Sequence, residues 1–325
     1  MPNLVALTSE YAPQRLRSTL VTTMFSGYAM GGIMAALCGS WFTADYGWQI
    51  MFYIAVIPLL FVPLFWKFLP ESLTYLVKAK KQDQARYFLQ KVEPAAQVTA
   101  DTQLVLSSND QTTSASVKAL FSENRTAGTL LFWLAFFMCL LMLYALGSWL
   151  PKLMMAAGYS LGSSLMFLLA LNIGAVIGTV SGGVLADRFD FKPVLISMLT
   201  VGILSLVGLG FNSPQPVIYL LVSLAGASSI GCSILLYSYV AQYYPVAVRS
   251  TGIGWASAIG RTGAIVGPIV IGLLLGMELP HKWNFIAVAI PGIIGAIAIF
   301  FIRVEKKAAE PAAEKALKAG VLTAD

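Results

Sequence analysis

The 325-residue chain has little charge and few of the side chains that enzymes use for chemistry. Aspartate, glutamate, lysine and arginine make up 11% of it, whereas a soluble domain has about 25%. It has one histidine, His281, and three cysteines, Cys38, Cys139 and Cys232, none at paired or metal-ligand spacing. We therefore expect no metal, no cofactor and no nucleophile–base pair. The chain is not predicted to be an enzyme.

Long apolar runs take the place of charge. Hydrophobic residues make up 58% of the chain, and they gather into runs of roughly 18 residues or more, enough for a helix to cross about 30 Å of hydrocarbon. The sequence therefore predicts an all-α polytopic membrane protein, in contact with the lipid bilayer. The predicted spans are residues 18–42, 48–69, 127–150, 162–186, 194–211, 216–239, 251–276 and 284–303.

The net charge of +6 could indicate a nucleic-acid partner, but its distribution indicates membrane topology instead. Lysine and arginine crowd the loops on one side of the predicted membrane, and the other side has only Lys152 and Lys282. By the positive-inside rule the basic side faces the cytoplasm. We therefore expect no nucleic-acid partner, a multi-pass protein of a bacterial-type inner membrane, and a cytoplasmic C-terminus.

One short loop occurs twice. Residues 11–19, YAPQRLRST, return as residues 243–251, YYPVAVRST, with the same offset for each shared residue. An offset held from loop into helix indicates an internal duplication. We interpret Arg17 and Arg249, with Glu10, as parts of equivalent cytoplasmic gates. The alternative is that these charges form a solvated surface.

The duplication also predicts an architecture. If the two halves are equivalent, the chain corresponds to a twelve-span, two-bundle protein that lacks about its first three and a half spans. We predict the remainder of an N-terminal bundle at 1–69, a cytoplasmic linker at 70–126, a C-terminal six-helix bundle at 127–303 and a cytoplasmic tail at 304–325.

The stretch GGVLADRFDFKP, residues 182–193, joins two predicted spans on the cytoplasmic side. Gly183 permits close helix approach, and Asp187 beside Arg188 places opposite charges at a helix end. Such charges can pair across the gap between two bundles and separate when the bundles rock, so we predict a gating role. The alternative is a charged turn that anchors the helix ends.

The repeat, this loop and the Pro-Glu-Ser sequence that follows Leu69 together resemble the major facilitator superfamily. Gly183, Asp187 and Arg188 match the family's loop motif G-x-x-x-D-R-x-G-R-[KR], with Asp190 and Phe191 in place of Gly and Arg. Such a resemblance implies a two-bundle helical carrier and extends over the whole chain.

Within that superfamily, the opening sequence MPNLVALTSEYAPQRLRSTLVTTMFSGYAMGG resembles the aromatic acid:proton symporters, and among them the benzoate and hydroxybenzoate transporters. The resemblance implies import of an aromatic carboxylate with protons by alternating access. Relatives carry a D-G-x-D motif in their first span, which is absent here. We therefore expect the proton-accepting residue in the helices that the duplication implies.

Arg261 lies near the middle of a predicted span, where a guanidinium costs about 2.5–3.5 kcal/mol unless it is solvated or paired. No acidic residue occurs in the apolar interior of the predicted spans, so a water-filled cavity with an anionic ligand would satisfy it. The alternatives are backbone carbonyls or an acid in the implied helices. The resemblance also implies an arginine facing the substrate carboxylate here.

Two further polar residues could join Arg261 in a substrate site. Asn172 could donate to a carboxylate or bond a neighbouring helix, and Tyr144 could stack on an aromatic ring or serve as packing. We predict that Arg261, Asn172 and Tyr144 bind substrate.

Two other functions stay open at this point. One is a different carrier of the superfamily, for nicotinate, muconate or a drug, which substrate competition would distinguish. The other is a protein that binds the ligand through Arg261 without transporting it. Such a protein would show no accumulation against a gradient.

Overall fold

A computed structural model describes residues 16–79, 81–92, 117–122, 125–159, 161–211, 213–277 and 280–303, together with positions 4, 7, 8, 11 and 12. These residues are predominantly helical, and no strand occurs among them. The elements are α1 Arg17–Tyr46, α2 Ile50–Ile54, a 3₁₀ helix Ile57–Phe61, α3 Val62–Phe68, α4 Leu73–Lys78, α5 Gln82–Val92, a 3₁₀ helix Val117–Leu120, α6 Thr126–Ala156, α7 Leu161–Phe189, α8 Phe191–Leu209, α9 Gln215–Tyr243, α10 Val246–Gly276 and α11 His281–Phe301.

Seven helices of the described chain, α1 and α6 to α11, are long and apolar enough to cross a membrane. They correspond to seven of the eight predicted spans. Proline marks where three of them begin, since Pro214, Pro245 and Pro280 are the N-caps of α9, α10 and α11. A proline cannot continue a preceding helix and sets the backbone for a new one. The fold class is therefore that of an all-α polytopic membrane protein.

The eighth predicted span, residues 48–69, is irregular in the structure and is not among the seven membrane-length helices. Helix α2 ends at Ile54, a 3₁₀ helix follows, and α3 begins only at Val62. Pro58 and Pro63 lie in this stretch, and each lacks a backbone N–H and clashes with the turn before it. Apolar composition thus predicted a regular span where the structure has a helical stretch with a 3₁₀ segment in its middle.

Helices α6 to α11 pack together as one bundle. α6 contacts α10 and α11, α9 contacts α7 and α8, and α8 contacts α11. α1 lies against α7, and its Val21, Phe25 and Ala29 share a small apolar core with residues of α7 and α9. The structure therefore places one helix of the N-terminal repeat directly on the C-terminal bundle.

One end of this assembly is rich in cations, and we call it the basic end. It is the end where α1, α6, α8 and α10 begin. The cations found there are Arg125, Arg188, Lys192, Arg249 and Arg303. Lys152 and Lys282 lie at the opposite end, so the helices reproduce the charge asymmetry of the sequence.

The membrane-length helices approach one another most closely at glycines. Gly263 and Gly267 of α10 face the backbone carbonyls of Phe137 and Leu141 in α6, and Gly174 of α7 faces α9 in the same way. A Cβ atom at any of these positions would collide with main chain. Small residues permit the backbone contact that stabilises helix pairs in a membrane. The glycines thus fix the distance between α6 and α10.

The predicted linker contains the short helices α4 and α5. They pack against each other through Leu76 and Ala85, and the Tyr11 hydroxyl donates to the Glu71 carbonyl at 2.6 Å. This bond ties the first copy of the repeated loop to the start of the linker. The boundaries of the four predicted regions remain predictions.

We predict that Gly263→Ala lowers the stability of the protein. Its methyl group would overlap the Phe137 carbonyl, and overpacking of this kind costs about 1–3 kcal/mol. The melting temperature in detergent micelles measures the effect. Gly254→Ala on the same helix is the matched control, because nothing lies within 4 Å of its Cβ position. Equal melting temperatures for the two variants would show that the backbone contact does not stabilise the bundle.

Candidate functional site

Arg261 is an exposed cation halfway along α10. Its Nη1 donates a hydrogen bond to the Tyr144 hydroxyl of α6 at 3.1 Å. No carboxylate of the described residues lies within ion-pair distance of it. Because a guanidinium has five N–H donors, Arg261 keeps donors for an anion.

Tyr28 of α1 brings a second phenol to this charge. It interacts electrostatically with both Tyr144 and Arg261, and 51% of its surface is exposed. The three side chains come from three helices, and we call them the arginine layer. A guanidinium and two phenol hydroxyls can all donate to a carboxylate. This layer therefore has the chemistry of a carboxylate site.

A second group of side chains lies nearer the basic end, and we call it the aromatic layer. It consists of Phe25, Phe136, Tyr237 and Ser257. The Tyr237 and Ser257 hydroxyls are hydrogen-bonded at 3.0 Å. The Tyr237 ring stacks on Phe25 with centroids 5.9 Å apart and meets Phe136 edge-on at 5.0 Å. A partly buried hydroxyl pair, supported by the buried rings of Phe25 and Phe136, thus lies beside the arginine layer.

The two layers are held in order by the helix that they share. Ser257 precedes Arg261 by four residues, so both lie on one face of α10, separated by about 6 Å along its axis. On α1, Phe25 precedes Tyr28 in the same direction. The site therefore has a charged part and an aromatic part in succession along the bundle.

Asn172 of α7 is 8% exposed. Its Nδ2 donates to the Leu168 carbonyl of its own helix at 2.9 Å, and its amide lies against Gly32 of α1, where any side chain would collide with it. Gly32 follows Tyr28 by four residues, so Asn172 lies about one helical turn from the arginine layer. The structure joins Arg261 to Tyr144 directly and gives Asn172 a place at the α1–α7 contact.

Asp187 links the two repeats at the basic end. Its Oδ2 accepts hydrogen bonds from the backbone N–H of Thr19 at 3.0 Å and from the Thr19 hydroxyl at 2.7 Å. Thr19 lies in the first turn of α1, where N–H groups have no partner within the helix and favour a negative charge. Gly183, one turn earlier on α7, lies against Thr19 and Thr22. The loop residues Gly183 and Asp187 thus hold the start of α1.

Thr19 was not among the predicted site residues. Its signal in the sequence is the repeat itself, because Thr251 occupies the same position before α10. Only the packing of α1 on α7 shows which group the threonine binds.

The other predicted gating residues are placed less completely. The Arg188 guanidinium lies over the Phe189 ring at 5.3 Å, and Arg249 is half-buried at the start of α10. Glu10 and the side chain of Arg17 lie outside the described residues. A gating role for these residues remains a prediction.

Asp190 stands where the loop motif has glycine. It caps α8 with φ 73° and ψ 153°, a conformation that is essentially restricted to glycine. The aspartate therefore holds a strained backbone at this position.

No group of histidine, cysteine, aspartate or glutamate in the described chain is arranged to hold a metal ion. Cys139 and Cys232 are buried in the bundle, and Cys38 is half-buried on α1. The candidate site is therefore the pair of layers formed by α1, α6, α9 and α10.

Membrane-length helices packed around a cation at mid-span define a polytopic helical membrane protein. Two family profiles match the chain, "Sugar (and other) transporter" over residues 4–164 and "Major Facilitator Superfamily" over residues 169–324. The chain belongs to the major facilitator superfamily, a family of transporters and not of enzymes.

Two similar proteins are named as transporters of aromatic acids. The chain is 49% identical to the benzoate transport protein of Acinetobacter baylyi over 93% of its own length and 65% of the relative. It is 34% identical to the 4-hydroxybenzoate transporter PcaK of the same organism, over 92% of its length and 67% of that protein. The chain thus spans about two thirds of the length of these relatives.

Solved structures agree on the fold. The chain superimposes on the proton:xylose symporter XylE with a TM-score of 0.65, at 18% identity, over 92% of this chain and 67% of that one. At this identity the likeness shows the fold alone. The predicted superfamily resemblance is confirmed by profile, relatives and fold together.

We predict that Asp190→Gly stabilises the protein. Glycine removes a backbone strain of about 1–3 kcal/mol, and as an N-cap it costs only a few tenths of a kcal/mol relative to aspartate. The melting temperature should rise. Asp190→Ala is the matched control, since it removes the carboxylate but keeps the Cβ atom. A rise of equal size in both variants would assign the effect to the charge and not to the backbone.

Proposed function

We propose that this chain works in the import of an aromatic carboxylate of the benzoate class, together with protons, by alternating access. The hydrogen bond from Arg261 to Tyr144 carries the proposal, because it places a guanidinium with unused donors at the middle of a membrane-length helix. The 49% identity to a benzoate transport protein supports the substrate class.

Binding follows from the chemistry of the two layers. The substrate carboxylate accepts hydrogen bonds from the Arg261 guanidinium and from the Tyr144 and Tyr28 hydroxyls. Its ring lies against Tyr237, since an aromatic side chain offers favourable contacts to another ring, and the buried Phe25 ring supports Tyr237 from behind. The anion offsets the cost of the mid-span guanidinium, so each needs the other in this apolar setting.

Access is controlled at the basic end, which we place in the cytoplasm together with the C-terminus. Asp187 holds the start of α1 through Thr19. When the bundles rock about the site, as in carriers of this architecture, these two bonds break and the layers open to that side. Closing remakes them and leaves the other side free to open.

The coupling proton is carried by a group beyond the layers. Asp187 is the only acidic residue within the apolar spans of the membrane-length helices that the structure describes, since Asp45 follows the apolar span of α1. Asp187 lies at the basic end of α7. Since Thr19 engages that carboxylate, we assign it to the gate. The residues of the two layers hold the substrate anion.

We predict that Arg261→Ala abolishes uptake of labelled benzoate by cells that lack other benzoate carriers. Arg261→Lys should retain charge but lose most uptake, since an ammonium lacks the fork that meets a carboxylate. Lys152→Ala, which removes a cation near the far end of α6, is the matched control and should transport normally. Membrane immunoblots verify equal insertion. Uptake by Arg261→Ala at normal affinity would remove Arg261 from the site, and no uptake by the unaltered chain would refute the proposal.

We predict that Asp187→Ala slows turnover while substrate binding is retained. The variant loses both bonds to Thr19, whereas Thr19→Val loses only the hydroxyl bond and should show a smaller decrease. Benzoate binding to membrane vesicles and initial uptake rates separate the two steps. If binding fell and turnover per bound substrate did not, Asp187 would belong to the site and not to the gate.

A further inference from the structure

The aromatic layer holds a hydroxyl pair that the proposed function leaves unused. Tyr237 and Ser257 are bonded to each other at 3.0 Å, and the Tyr237 ring packs against the buried rings of Phe25 and Phe136. Carboxylate binding needs neither hydroxyl, because the arginine layer supplies the donors. The pair is partly buried beside apolar rings, so a ligand can reach it.

The pair lies on the basic-end side of the charge. Ser257 precedes Arg261 by one helical turn on α10, about 6 Å along the helix axis. A ring whose carboxylate is held by Arg261 and which points to the basic end therefore extends its para position towards the Tyr237–Ser257 pair.

The internal repeat supports this arrangement independently. The offset that relates the two loops also relates Phe25 of α1 to Ser257 of α10. Phe25 lies about one turn before Tyr28, and Ser257 lies about one turn before Arg261. The duplicated helices thus place their aromatic-layer residues at one level. Such a level surface is suited to the far edge of a flat ring.

Resting on the proposed function, we propose that Tyr237 and Ser257 form the subsite that reads the para substituent and favours an unsubstituted ring. A hydrogen at the para position leaves the hydroxyl pair intact. A para hydroxyl must break that bond to enter between the two oxygens, and the partner that it displaces is left without a hydrogen bond in an apolar wall. Benzoate and 4-hydroxybenzoate, for which two relatives are named, differ at this ring position.

Competition binding tests the subsite. Labelled benzoate is bound to membrane vesicles that contain the full chain, and unlabelled benzoate or 4-hydroxybenzoate displaces it. The ratio of the two half-displacement concentrations measures discrimination. Ser257→Ala frees the Tyr237 hydroxyl and makes room, so discrimination should fall about tenfold, the factor that one hydrogen bond of ordinary strength provides. Tyr237→Phe frees Ser257 and should change it in the same direction.

Thr262→Val is the matched control. It removes a hydroxyl from the same helix, one that bonds only to the Ile259 carbonyl of α10 in this structure, and should leave the ratio unchanged. The subsite is refuted if benzoate binding persists in both variants with an unaltered ratio. It is also refuted if both variants reach the membrane and lose benzoate and 4-hydroxybenzoate equally. Absence of benzoate binding by the unaltered chain would overturn the proposed function and the subsite together.

Discussion

Main-chain contact between helices is the constraint on which the rest of the structure depends. Gly263 and Gly267 bring α10 against the carbonyls of α6, and Gly260, the neighbour of Arg261, lies on Phe136 and Leu140 of α6. At this spacing the long guanidinium of α10 and the phenol of α6 meet without a bridging group. A wider helix pair would leave Arg261 without the Tyr144 hydroxyl, and the aromatic layer would lose its Phe136 wall.

Much of the fold could be predicted because its causes are local. A run of apolar residues predicts a span by its length, and seven spans were correctly placed. A charge at mid-span is costly wherever its neighbours lie, so Arg261 could be singled out before any contact was known. The stretch 48–69 is irregular for an equally local reason. Pro58 and Pro63 were visible in the sequence, and hydropathy alone took no account of the backbone donors that they remove.

The contacts of the site depend on which residues of separate helices reach the same level, and no local pattern records that. Asp187 could be identified as a charge at a helix end, yet its partner Thr19 lies far away in the chain and was missed. The Tyr237–Ser257 bond joins two helices in the same way. Asn172 was selected for its polarity, and packing against Gly32 gives it a place beside α1. Asp190 shows the reverse case, since its departure from the motif was visible but its strained φ angle was not.

Helix α1 takes part in both the gate, through Thr19, and the site, through Tyr28. Its first turn is held by Asp187, and about nine residues further along Tyr28 reaches the charge on α10, roughly 14 Å away along the axis. Unless α1 pivots at Tyr28 itself, a tilt of the helix that moves one of these contacts also moves the other. Any bound anion that favours one tilt of α1 must therefore shift the occupancy of the Asp187–Thr19 bonds, and reciprocity requires that those bonds shift anion affinity by the same factor. The gate and the site therefore both respond to the tilt of α1.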